Sequence, residues 1–182
     1  DPGLGGTAGL VRCDLRRPPL AAASQDAVLC LLNSFGYYPP RGRFSAASPT
    51  PDDRHMLAHI ARMLRPGGWL VLDLPNRREL LRVVAEDPVV RYSSGGRQAI
   101  EHFTWDPASQ CLHNRTQWRW AGHREQGGYR RRLYTPAQIT RLLAWAGLEI
   151  EQVCGDFSGG PFLFNDSDRM LILARRPRGA AR

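Results

Sequence analysis

The sequence predicts an α/β fold, a core sheet flanked by helices with an antiparallel insertion, on three observations. Leu64-Arg65-Pro66-Gly67-Gly68-Trp69-Leu70-Val71-Leu72-Asp73 reads as a helix end, a two-glycine turn and a buried strand. Upstream, Asp26 opens an apolar run that passes through Leu32 into Asn33-Ser34-Phe35-Gly36-Tyr37, a polar and aromatic loop containing a glycine. Open α/β sheets bind ligands at such loops, at the carboxyl ends of their strands. Beyond Pro88 the pattern changes to alternating segments at 100–105, 112–120 and 129–134, the period of half-buried antiparallel strands.

The elements follow in order. Short strands are expected at about 10–13 and 26–33. A helix at about 51–65 has Thr50 as its cap, Pro51 in its first position and Asp52 and Asp53 against its positive end. Leu57, Ile60, Ala61 and Leu64 form its buried stripe, and Pro66-Gly67-Gly68 ends it. Trp69 to Leu72 is apolar on both alternations, as in a central parallel strand covered on both faces. Asn76 opens a second helix through about Ala85. The inserted strands are separated by Asp106-Pro107-Ala108-Ser109 and by Gly127-Gly128. Thr135-Pro136-Ala137-Gln138 is a capping-box start to a helix with Ile139, Leu142, Leu143 and Ala146 on its apolar face, and Gly147 ends it. Strands at 148–154 and 169–174 close the chain.

With 182 residues the chain suits one domain, 1–182, with the insertion at about 89–134. No apolar run reaches the roughly 20 residues of a membrane helix, and no basic-then-apolar leader opens the sequence, so a cytoplasmic protein is expected. Cys13, Cys30, Cys111 and Cys154 are widely spaced and are expected as free thiols. The net charge of +8 comes wholly from arginine, since the sequence contains no lysine. Because these arginines are scattered along the chain, nucleic acid is not the expected partner.

The segments Val11-Arg12-Cys13-Asp14-Leu15-Arg16, 26–37, 64–73 and Arg132-Leu133-Tyr134-Thr135-Pro136 together resemble the class I S-adenosylmethionine-dependent methyltransferases of the small-molecule type, over nearly the whole chain. The resemblance implies a Rossmann-like methyltransferase sheet, represented by its C-terminal two-thirds, with S-adenosylmethionine as cofactor and methyl transfer to a small molecule. It places Asp14 and Leu15 beside the adenine, and Asn33, Ser34, Phe35 and Gly36 beside the methionine end and the sulfonium methyl. Tyr37 and Tyr134 are implied as residues of the substrate pocket. Read alone, Asp14 also ends a strand before the Pro18-Pro19 turn, and Tyr134 also suits an anchor between the insertion and the core.

Gly3-Leu4-Gly5-Gly6-Thr7 is no cofactor loop by itself, since a strand does not precede it nor a helix follow it. The expectation is therefore an N-terminally incomplete domain, impaired in methyl transfer unless an upstream segment or a second chain completes its site. The alternatives are a non-catalytic binding module of the same fold and an RNA or DNA methyltransferase. No catalytic base is singled out: His102, His113 and His123 lie in or near the inserted strands, but methyl transfer from a sulfonium chiefly needs alignment. His55 and His59 lack the intervening glutamate of a zinc protease helix, so no metal is expected. Arg130-Arg131-Arg132 reads as a solvated strand whose successive side chains alternate in direction.

Overall fold

The computed structural model describes residues 9–37 and 50–179. The elements are β1 (Gln25–Cys30), α1 (Pro51–Met63), β2 (Leu64–Pro75), α2 (Arg77–Glu86), β3 (Val89–Ser94), β4 (Arg97–Asp106), β5 (Cys111–Trp120), β6 (His123–Arg132), α3 (Pro136–Trp145), β7 (Glu149–Cys154) and β8 (Arg169–Arg175). They form two four-stranded sheets, one ordered β1-β2-β8-β7 and the other the meander β3-β4-β5-β6.

In the first sheet β1 runs parallel to β2, while β8 is antiparallel to both β2 and β7. The α1 cap forms as expected, with Thr50 Oγ1 accepting from the Asp53 N–H at 3.0 Å. Asn76 caps α2, and α3 carries the full Thr135/Gln138 capping box. Met56, Leu57, Ile60 and Met63 of α1 and Ile139, Leu142 and Leu143 of α3 meet Leu70, Leu72, Leu74, Met170 and Ile172 of the sheet in one core. Each leucine buried there contributes about 1.5–3 kcal/mol of transfer free energy. On the opposite face, within the described residues, cover is incomplete: Leu29 is 62% exposed and Trp69 37%, with the Arg175 guanidinium over the Trp69 ring.

Several expectations change. Residues 10–13 form no strand. Gly67 and Gly68 lie inside β2, because the Gly67 N–H donates to the Arg176 carbonyl and Gly68 accepts from the Arg176 N–H, which extends the ladder past the expected turn. Gly127-Gly128 likewise sits within β6, and the preceding turn is at Ala121-Gly122. Gly128 permits close strand approach there: a Cβ would lie 2.1 Å from the Asn114 carbonyl oxygen. The strand β3 was not expected. It completes the second sheet as an edge paired to β4 from Val89↔His102 to Ser94↔Arg97. All four cysteines are free thiols.

Candidate functional site

β1 releases the chain at Cys30 into a loop that reverses direction through two consecutive left-handed residues, Leu32 at φ 55° and Asn33 at φ 57°. Asparagine adopts this region readily, but at Leu32 it costs on the order of 1–2 kcal/mol, which the surroundings must offset. The group that does so is Asp73, at the end of the apolar run of β2. Its carboxylate is fully buried, accepts from the Leu32 N–H at 2.8 Å and pairs with Arg169 at 3.1 Å. Arg169 in turn lies over the Phe157 ring at 4.4 Å.

The far end of the loop is held by the chain leaving the second sheet. The Gly36 carbonyl accepts from the Arg132 N–H at 2.8 Å. Gly36 has φ +89°, and a Cβ there would stand 2.6 Å from the Arg132 carbonyl oxygen, so only glycine fits this crossing. Phe35 is buried with its ring 5.6 Å from that of Tyr134. The Tyr134 hydroxyl donates to Asp53 Oδ2 at 2.5 Å, tying α1 to the segment between β6 and α3. Burial pushes the Asp53 carboxyl up to about 6, against the opposing influence of the Tyr134 and Thr50 hydrogen bonds and of Arg132. Burial and the adjacent Asp53 also push the Tyr134 phenol upward.

Beside β1 the loop borders a cleft of about 450 Å³ whose lining includes Val11, Leu15, Leu29, Cys30 and Ser34. The Cys30 thiol and the Ser34 hydroxyl are 3.3 Å apart across its edge. The structure thus gathers Leu15 and Ser34 at the cleft and Phe35 and Gly36 at the clamp. The Asn33 Oδ1 is buried and has no hydrogen-bond partner among the described residues. Asp14 stands apart: its carboxylate pairs with Arg16 at 2.6 Å and lines an adjoining depression with Asp52, His55 and His59. Tyr37 meets Tyr129 edge-on at 5.2 Å, at the face of the second sheet. Tyr134 lies in the core with 3% exposure, its hydroxyl used by Asp53.

Arg130-Arg131-Arg132 is not a solvated strand. Arg130 is exposed, but Arg131 and Arg132 are buried at 7% and 2% exposure, because β6 ends where the chain dives beneath the loop. This withdraws two arginines from any basic surface. Sequence reasoning missed Asp73, Asp53 and the burial of these arginines. An acid ending an apolar strand was a usable signal for Asp73. For Asp53, helix-dipole complementarity was a sufficient local explanation and hid its role. The assembled geometry suits holding and aligning a ligand: a fixed loop, an aromatic wall and a cleft.

No family model matches the chain. Among curated proteins it is 25% identical over 150 residues to a cypemycin N-terminal methyltransferase from a Streptomyces species, covering 75% of this chain and 56% of that protein. An S-adenosylmethionine-dependent methyltransferase from Clostridium acetobutylicum superposes with a TM-score of 0.77 at 15% identity, over 95% of this chain and 66% of that one. An S-adenosylmethionine-bound amino pentose methyltransferase from Micromonospora echinaspora superposes with a TM-score of 0.59 at 22% identity, over 90% of this chain and 63% of that one. The chain therefore spans between about half and two-thirds of the length of these proteins. It has the Rossmann-like α/β fold of the S-adenosylmethionine-dependent methyltransferases, with the inserted antiparallel sheet.

Proposed function

We propose that this chain carries the methyl-side wall and the acceptor pocket of an S-adenosylmethionine-dependent methyltransferase that acts on a small molecule. The observation that carries this reading is the loop 31–37, bent through the Leu32-Asn33 left-handed pair at the carboxyl end of β1 and clamped by Asp73 on one side and by Arg132 on the other. Such strain persists only where the surrounding structure over-determines it, and it concentrates at ligand sites.

The residues present fit the cofactor. The 450 Å³ cleft with Leu15 offers an apolar bed for a flat ring, and the buried Asn33 Oδ1, unpartnered among the described residues, offers an acceptor. Asp14 accepts from the Arg16 main-chain N–H and guanidinium, and it would meet an adenine amine by exchanging one of these contacts. Ser34, Phe35 and Gly36 would border the methionine end. When bound, the cofactor supplies an electrophilic methyl on a sulfonium, and the acceptor's nucleophile displaces it in line. The protein's part is alignment and exclusion of water. Asp73 and Gly36 fix the loop's backbone, Phe35 packs the wall from behind, and Tyr37 and Tyr129 face the acceptor side. The amino pentose acceptor named for one structural neighbour supports a small-molecule substrate.

The test is titration of the chain with S-adenosylmethionine, followed by amide chemical shifts, which register weak as well as tight binding. Saturable shifts at residues 31–37 and at Leu15 are expected, with weaker binding by the Asp14→Ala variant corresponding to about 1–3 kcal/mol. Shifts confined to the second sheet, or none at millimolar ligand, would sink the reading.

A further inference from the structure

We infer that Arg131 is an oxyanion-recognition residue, placed beside Tyr37 to take a carboxylate or phosphate on a small-molecule ligand. The inference rests on the functional reading above for the identity of that ligand. Its own evidence is a guanidinium whose Nε is fully buried and which has no hydrogen bond or ion pair among the described residues.

Arg131 is 7% exposed and its Nε is fully buried without a hydrogen-bond partner among the described residues. Among the described residues its guanidinium has no ion pair and no hydrogen bond; its contact is the face of the Tyr37 ring at 5.7 Å. The residues outside the description between β1 and α1, 38–49, contain no Asp or Glu. Burying an unpaired cation is costly, whereas the other interior arginines have partners. Arg169 has Asp73, Arg77 has Gln110, and Arg176 donates to the carbonyls of Ala61, Arg62 and Leu64. Arg132 follows Arg131 directly, and its charge, together with burial, holds the Arg77 guanidinium below its usual range. The neighbourhood is therefore rich in cations.

The direction of Arg131 is set by the sheet. Leu112 pairs with Arg131 and Asn114 with Tyr129, so Arg131, Tyr129 and Asn114 share one face. A Cβ on Gly36 would lie 3.5 Å from Arg131 Cγ, which puts the arginine stem against the clamped loop. Asn114 is 6% exposed. Its Oδ1 is 2.7 Å from the Thr116 hydroxyl, while its Nδ2 is buried with no partner. Two buried donors without acceptors among the described residues thus occupy adjacent rows of one face. Of the acids that these strands place on this face, Glu101 is paired across to Thr116 two rows from Arg131, roughly 13 Å along the strands, and Glu125 lies one row further. An oxyanion is what satisfies both donors and the guanidinium together.

The experiment compares the wild-type chain with Arg131→Met and Arg131→Lys. Thermal unfolding is measured in inorganic phosphate and in chloride at equal ionic strength. Phosphate should raise the wild-type Tm, since a ligand bound only by the native state stabilises it. The phosphate response should vanish in Arg131→Met and persist in part in Arg131→Lys. In chloride Arg131→Met should be at least as stable as wild type, because an unpaired buried charge is removed. An unchanged phosphate response in Arg131→Met, or a Tm in chloride well below wild type, would overturn the inference and leave Arg131 a packing residue.

The source of the oxyanion is separated by calorimetry with S-adenosylmethionine and with 5′-methylthioadenosine, which lacks the amino-acid end. A loss of roughly tenfold or more in Arg131→Met for S-adenosylmethionine alone assigns the cofactor's carboxylate. Equal binding of both compounds by both proteins assigns the acceptor's oxyanion. An Arg131-dependent phosphate response in a chain that binds neither compound would uphold the oxyanion site and refute the methyltransferase reading.

Discussion

The two sheets are built on opposite terms. In the first, β2 and β8 bury Leu70, Leu72, Leu74, Met170 and Ile172 against two helices. Burial there is apolar and needs no partner beyond shape. In the second, the residues buried along the shared face of β5 and β6 include Asn114, Thr116 and Arg131, and most of β3 and the start of β6 is exposed. Stability thus resides in the first sheet, while the second buries Cys111 and Leu112 beside several polar groups, among them His113, Asn114 and Arg131 with buried atoms unsatisfied among the described residues. Unsatisfied buried polar groups are costly to the fold, and the proposed recognition role of Arg131 would account for those beside the clamped loop. The loop 31–37 is where the two regimes meet, held by Asp73 from the first sheet and Arg132 from the second.

The sharpest way to break this contrast is paired truncation. Leu72→Ala in the first sheet should cost about 2–5 kcal/mol. Ile100→Ala in the second, at a half-buried position, should cost about 1 kcal/mol or less. Urea unfolding monitored by tryptophan fluorescence checks both, and equal losses would erase the distinction. At the junction, Gly36→Ala forces a Cβ into the Arg132 carbonyl at a positive φ. It should destabilise by roughly 2 kcal/mol, the sum of a left-handed penalty and a backbone clash. It should also weaken S-adenosylmethionine binding disproportionately compared with Ile100→Ala.

A pH titration sharpens the comparison further. Asp53 has a folded-state value of about 6 against an ordinary 3.8. The native chain therefore holds that proton more tightly than the unfolded chain. Raising the pH from about 4 to 6 then removes stability at this site, and the loss is complete above about 6. Asp53→Asn, which keeps an acceptor for Tyr134, should flatten that slope relative to wild type in urea titrations between pH 4 and 7. Parallel slopes in the two proteins would show that the Asp53–Tyr134 tie is not where the pH dependence arises.

What the sequence determined by itself is local. Thr50-Pro51, Asn76 and the Thr135/Gln138 box set the three helix starts because a cap is satisfied within three residues. Strand patterning located β1, β4, β5, β7 and β8 within a few residues and the apolar part of β2, whose first five residues were expected as a helix end and turn. The loop after β1 was legible as an abrupt change from apolar to polar chemistry. The tertiary structure decided everything that depends on partners distant in the chain. Asp73 reaches Leu32 across 41 positions, and Tyr134 reaches Asp53 across 81. Arg131 became buried only because β6 ends beneath a loop formed a hundred residues earlier. The stretch 10–13 has strand-like residues and no strand, because a ladder needs a neighbour and none pairs with it among the described residues. Local periodicity and capping act over one or two turns, whereas a buried charge takes its meaning from whatever the fold places beside it.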